Sequence, residues 1–102
     1  MDGAVSYDSD AMNDGPMHRL LNQKVVLDTG SPIVYIGTLT EITDTLFVLA
    51  DGDMHDCRDG HANKENYLAE VRRDGVTVNR REVVVMRSVV ISVSRLDDVV
   101  YE

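Results

Sequence analysis

Six arginines fall between residues 71 and 95: Arg72, Arg73, Arg80, Arg81, Arg87 and Arg95, against only Asp74 and Glu82. A guanidinium offers planar N–H donors that suit phosphate oxygens and base edges. If these side chains converge, they make an anion-binding surface on a chain that is otherwise acidic; the competing reading is a set of solvated positions neutralising nearby carboxylates. A second grouping is His55, Cys57 and His61, with Asp53, Asp56 and Asp59 around them. These are metal-ligating residue types, but His-x-Cys-x3-His is not the spacing of a structural zinc site and no second cysteine is present to complete one. We therefore assign no metal there and read a polar loop with a free thiol. Asp51-Gly52-Asp53 lacks the remaining ligands of a calcium loop. Covalent catalysis has no starting point, because Cys57 sits among carboxylates that raise a thiol pKa. No nucleophile elbow, phosphate loop or dinucleotide glycine pattern occurs. The expectation is a non-enzyme without a cofactor.

The elements that position these groups belong to one small domain. The chain has 102 residues, enough for a single core, and its 43% hydrophobic and 27% charged residues are those of a globular protein. The net charge of −8 and a pI near 4.6 argue against a surface that grips phosphate on all sides. The charge is unevenly placed, however: residues 1–70 carry 4 basic and 13 acidic side chains, whereas residues 71–95 are net basic. No apolar run reaches the length of a membrane span, residues 1–16 do not read as a signal peptide, and a single cysteine suits a reducing compartment. A cytoplasmic location is expected.

Residues 1–15 read as an acidic leader, rich in Asp, Ser and Gly, and residues 16–102 as the folded domain. Pro16 is suited to a first helical position, and Met17, Leu20 and Leu21 share one face of a short helix. Strands follow at 24–28, 33–42 and 45–56, the last two bent at Gly37 and Gly52, with turns at 29–32 and 43–44. Residues 63–73 have helical spacing, with Gly75 as a stop. Residues 81–87 and 89–96 make two more strands joined almost directly at Arg87-Ser88. Val83, Val84 and Val85 cannot all face one core, since strand side chains alternate: either both faces of the strand are buried or one meets another subunit. A small domain has no second layer to spare, so a subunit interface through Val83, Val84, Val85, Val89, Ile91 and Val93 is expected. Phe47 reads as core, Tyr67 as the residue that docks the inserted helix, and Tyr35 as a stacking alternative. Five bent strands predict a mainly β fold, a small SH3-like barrel.

This order of elements resembles the Sm-like (LSm) fold, which includes the bacterial Hfq protein. Lys24-Val25-Val26-Leu27 is similar to the family's first strand. Gly37-Thr38-Leu39 through Leu46-Phe47-Val48-Leu49 resembles the first Sm motif, and Val48 through Asp53 its acidic continuation. Val85-Met86-Arg87-Ser88-Val89-Val90-Ile91 resembles the second motif, where one branch carries Ile-Arg-Gly and Hfq carries Tyr-Lys-His. The matching parts are about 16–56 and 80–96, and the helix at 63–73 falls in the β3–β4 loop. Two departures stand out: Thr45 where Hfq presents an aromatic that stacks on a base, and Ser88 where it presents a histidine.

The resemblance implies five antiparallel strands in a barrel with a short N-terminal helix and an inserted helix. It also implies a homo-oligomeric ring of six or seven subunits. Single-stranded RNA would be held at the pore by Arg87, with Ser88, Asp44, Thr45, Arg80 and Arg81 around it. The alternative for Arg87 is an inter-subunit ion pair with Asp44. The alternative for the whole protein is a ring that serves as an interaction or architectural scaffold without RNA, a reading favoured by the missing aromatic.

Overall fold

A computed structural model describes residues 15–58 and 63–100, so the expected leader lies outside the described residues apart from Gly15. Strands β1 (Lys24–Thr29), β2 (Ile33–Ile42) and β3 (Leu46–Asp56) precede helix α1 (Lys64–Asp74), which is followed by β4 (Arg80–Met86) and β5 (Val90–Arg95). All pairings are antiparallel in one sheet of order β4-β3-β2-β1-β5. The protein is mainly β, as expected. The N-terminal turn, Gly15–Leu20, is a 3-10 rather than an α-helix, the tighter form common in such short pieces. Its Met17 and Leu20, with Leu21, still pack on the core. No helix among the described residues is long and apolar enough to cross a membrane.

The sheet bends where β2 and β3 cross closely. A Cβ built on Gly52 would lie 2.7 Å from the Ile36 carbonyl oxygen, and one on Gly37 would lie 3.0 Å from the Gly52 Cα. The pairing register slips there, between Ile36/Asp53 and Thr38/Ala50, and Asp51 takes a positive φ of 51°. This is a bulge, which sharpens the local twist and bend. The curled sheet encloses an inner core of Val25, Leu27, Leu39, Phe47, Leu49 and Val85, and the outermost strands reach the same core through Val83 on β4 and Val90 and Val93 on β5.

The sheet also has a second layer. Tyr67, Leu68 and Val71, at helical spacing on α1, cover Val26, Val34 and Ile36 on the opposite face, with Cys57 and Leu96 completing a separate core. Helix α1 starts at Asn63, whose side chain accepts from the Asn66 N–H at 2.8 Å, a usual N-cap arrangement. It ends with the Gly75 N–H on the Val71 carbonyl at 2.7 Å. Lys64 then ties the helix to β1, donating to Asp28 at 2.6 Å and to the Thr29 carbonyl at 2.8 Å.

This second layer corrects the reading of the valine run. The layer exists, but it lies over β1 and β2. On β4, Val83 and Val85 turn inward, and Val85 at 3% exposure fills this chain's own core, so it is not available to a partner. Val84 points the other way and is 51% exposed.

Gly52→Ala is expected to destabilise the fold by about 1–3 kcal/mol, because the contact it creates is with backbone that cannot step aside. A urea denaturation midpoint unchanged from the parent chain would contradict this account of the bend.

Candidate functional site

The register of β3 against β4, Leu46 opposite Met86, carries the β2–β3 turn to the β4–β5 junction. The turn is shaped by Thr43, whose Oγ1 accepts from the N–H of Thr45 at 3.2 Å and of Leu46 at 2.9 Å. The junction is a 3-10 turn, Arg87–Val89. Arg87 fastens the two: its backbone N–H donates to the Thr45 carbonyl at 2.8 Å and its Nη1 to the Thr43 carbonyl at 2.5 Å. The guanidinium carbon lies 5.1 Å from the centre of the Phe47 ring, within cation–π range. A cavity of about 540 Å³ opens here, lined by Asp44, Thr45, Leu46, Met86, Arg87 and Ser88. Asp44, Thr45, Arg87 and Ser88, named from sequence as one site, thus meet around one cavity.

Arg80 and Arg81 do not join them. Arg80 pairs opposite Gly52 at the other end of β4, six residues from Met86 and so roughly 20 Å away at the rise of a strand. Its Nη1 donates to the Asn79 carbonyl at 2.9 Å. The other arginines are engaged locally: Arg73 with Asp74 at 3.0 Å, Arg95 with Asp98 at 3.2 Å, and Arg72 with the Asp97 carbonyl at 3.2 Å. The basic segment is therefore not one patch at Arg87: Arg80 lies at the far end of β4, and Arg72 and Arg95 are drawn to Asp97 and Asp98. Phe47, 2% exposed, is core and the platform beneath Arg87.

At the sheet's two outer strands, large apolar side chains remain exposed. Val84 and Met86 on β4 are 51% and 64% exposed, Val89 in the junction is 48%, and Ile91 on β5 is 70%. Val93 is half-buried against the inner core. Outer strands carrying exposed β-branched residues form a surface ready for another strand.

A polar cluster under α1 was not anticipated from sequence. Asp53 is 5% exposed; it accepts from the Tyr67 hydroxyl and from Asn79 Nδ2 at 2.6 Å. Asn79 also brackets Met54, accepting from its N–H at 3.1 Å and donating to its carbonyl at 3.2 Å. His55 stacks flat on Tyr67, ring centres 3.9 Å apart. Burial raises the Asp53 pKa, against the lowering pull of His55, Asn79 and Arg80. Of the residues weighed as metal ligands, those described have the following surroundings. His55 is in this stack, Asp56 is held down to about 2 by hydrogen bonds from Arg58, and Cys57 is buried with its thiol pKa raised by that burial. Asp59 and His61 lie outside the described residues. The one sequence signal for the cluster was Tyr67 at the core-facing spacing of its helix.

No protein-family model and no curated protein matches this sequence. Among solved structures, an Sm protein of Pyrococcus abyssii in complex with a uridine heptamer has a similar fold. The TM-score is 0.52 at 19% identity, over 88% of this chain and 99% of that one. The chain has an Sm-like fold.

The Asp53 environment predicts a pH dependence of stability. A carboxyl whose pKa is raised on folding contributes stability that is full below its ordinary value of 3.8 and is lost as pH rises through the raised value. Against Asp53→Asn, the parent chain should therefore lose relative stability as pH climbs from about 3.5 to neutrality. Urea unfolding at a series of pH values reads the slope, and parallel curves for the two chains would refute it.

Proposed function

We propose that this protein assembles into a homo-oligomeric Sm-like ring, a hexamer or heptamer, and binds single-stranded RNA at the pore through Arg87. The observation that carries the reading is the meeting of the β2–β3 turn and the β4–β5 junction at Arg87, around a cavity that also holds Asp44, Thr45 and Ser88. The Phe47 ring and the Thr43 carbonyl hold the guanidinium in place, so less side-chain entropy is lost when an anionic or base-edge ligand binds. Assembly is supported by the two outer strands: Val84 and Met86 on β4 of one copy and Ile91 on β5 of the next would be covered if those strands paired around the ring. Sites repeated around a ring would let one strand of RNA engage several copies. A reducing cytoplasm suits the single buried Cys57.

A second reading keeps the ring and removes the RNA, leaving a protein-interaction or architectural scaffold. It is favoured by Thr45, since a stacking aromatic at such a site contributes about 1–3 kcal/mol per base.

Two measurements test these readings, the first their shared ring and the second what divides them. Ile91→Lys should convert the oligomer to monomers in light scattering while its circular dichroism stays native, because Ile91 is 70% exposed in the single chain. A parent chain that already runs as a monomer would end the ring proposal. Arg87→Ala should weaken oligo-U binding by about tenfold or more and lower its salt slope by about 1. An intact ring whose oligo-U and oligo-A affinities are both negligible and insensitive to salt would establish the scaffold reading instead.

A further inference from the structure

Helix α1 and the curled sheet are two packing units. Tyr67, Leu68 and Val71 cover Val26, Val34 and Ile36, whereas Leu27, Leu39 and Leu49 belong to the inner core, and the two clusters share no buried residue among the described residues. Lifting the helix would therefore leave the inner core covered. An isolated helix of 11 residues is marginal in water, so α1 depends on what holds it to the sheet. Lys64 ties it to Asp28 and the Thr29 carbonyl, Arg72 to the Asp97 carbonyl, and Tyr67 to Asp53. Beyond α1, Gly75 takes a φ of 95° and residues 75–79 form neither helix nor strand, which supplies a hinge.

The seam beside the Tyr67 tie is underfilled. A cavity of about 450 Å³ lies there, with Asp53 and His55 on the sheet wall and Glu70 and Asp74 on the helix wall. Ionised, Asp53 is a buried charge that meets two further carboxylates across the seam; protonated, it is neutral and that repulsion falls away. Arg80 on β4, His55 on β3 and the Asn79 amide favour the ionised form, but burial outweighs them and raises the Asp53 pKa. Arg73 partly neutralises Asp74 from 3.0 Å, and Cys57, just past β3, also feels the Asp53 charge.

We propose that α1 is a proton-gated lid, held most firmly while Asp53 carries a proton and loosened as Asp53 ionises, and that it opens without the curled sheet. In the open lid Asp53 meets water and titrates near its ordinary 3.8. The docked lid therefore gains its full hold below that value and loses it as pH rises through the raised one. Opening uncovers the apolar face of β1 and β2 and the thiol of Cys57, and leaves Arg87 and the outer strands as they are. The lid does not rest on the RNA or ring readings.

The experiment uses the full chain. Cys57 is its single cysteine, so labelling by dithiodipyridine, a disulfide reagent that attacks thiols even in acid, reads the opening; amide exchange at Val71 reads it independently. The Leu39 amide, bonded to the Gln23 carbonyl at 2.9 Å, reports the sheet. Labelling and Val71 exchange should be faster than global unfolding allows and little altered by low urea, with Leu39 still protected. Rates for the parent chain and Asp53→Asn should converge in acid and diverge toward neutrality, the parent opening more. Tyr67→Phe, which keeps the ring in its core, should raise labelling by about tenfold without changing Leu39 exchange. Lys64→Met, which cuts a tie remote from Asp53, should raise labelling and preserve its pH slope. One shared opening for Cys57, Val71 and Leu39, with the same urea dependence, overturns the lid. A parent-to-Asp53→Asn ratio that is flat or falls with pH overturns the gating.

Discussion

At Gly37 and Gly52 the backbones of β2 and β3 approach so closely that a Cβ on either residue would meet main-chain atoms well inside van der Waals contact, at 3.0 and 2.7 Å. Much of the molecule depends on that approach. The bulge it permits bends both strands, and the bend lets a sheet of only five short strands curl until its two outer strands share one apolar core. Straight strands would carry β4 and β5 apart and leave Phe47 and Val85 without cover. The same curl sets where the β2–β3 turn and the β4–β5 junction end up, and so where Arg87 can reach.

The inserted helix solves a different problem. β1 has apolar residues on both faces, Val25 and Leu27 inward and Val26 outward, all at 2% exposure or less. A single curled sheet buries one face only; α1 buries the other through Tyr67, Leu68 and Val71. The helix is held at its start by Lys64 on Asp28 and the Thr29 carbonyl, and further along by Tyr67 on Asp53. A buried carboxylate is costly unless its oxygens are hydrogen-bonded, and here both are, one by the helix and one by Asn79 just ahead of β4. The polar cluster therefore ties α1, β3 and the approach to β4 into one unit.

Arg87 illustrates how one side chain can hold two loops together. Its contacts to the Thr43 and Thr45 carbonyls close the junction of two loops, and its position over Phe47 fixes the direction of the guanidinium. It lines cavities on two sides of that junction. A guanidinium has five N–H donors, so it can engage more than one partner at once.

Residue patterns alone were enough for the order and type of the elements. Gly37 and Gly52 inside apolar runs, Asn63 and Gly75 around the helical spacing of Tyr67, Leu68 and Val71, and the Thr43-Asp44 turn are local signals, set by backbone sterics and periodicity over a few residues. So was the grouping of Arg87 with Ser88, Asp44 and Thr45, because it followed from a resemblance in which strand order was already implied. What depended on the tertiary structure was every question of side and distance. Arg80 and Arg81 look like companions of Arg87 in the chain, yet a strand's rise carries them to the other end of β4. Val83, Val84 and Val85 are equivalent as letters, and only the curl of the sheet decides that Val85 is core while Val84 is exposed. The bond between Asp53 and Tyr67, fourteen residues apart, likewise appears only once α1 has packed on the sheet. Sequence carries local preference; which faces are buried, and which charges meet, is settled by contacts between segments that are distant in the chain.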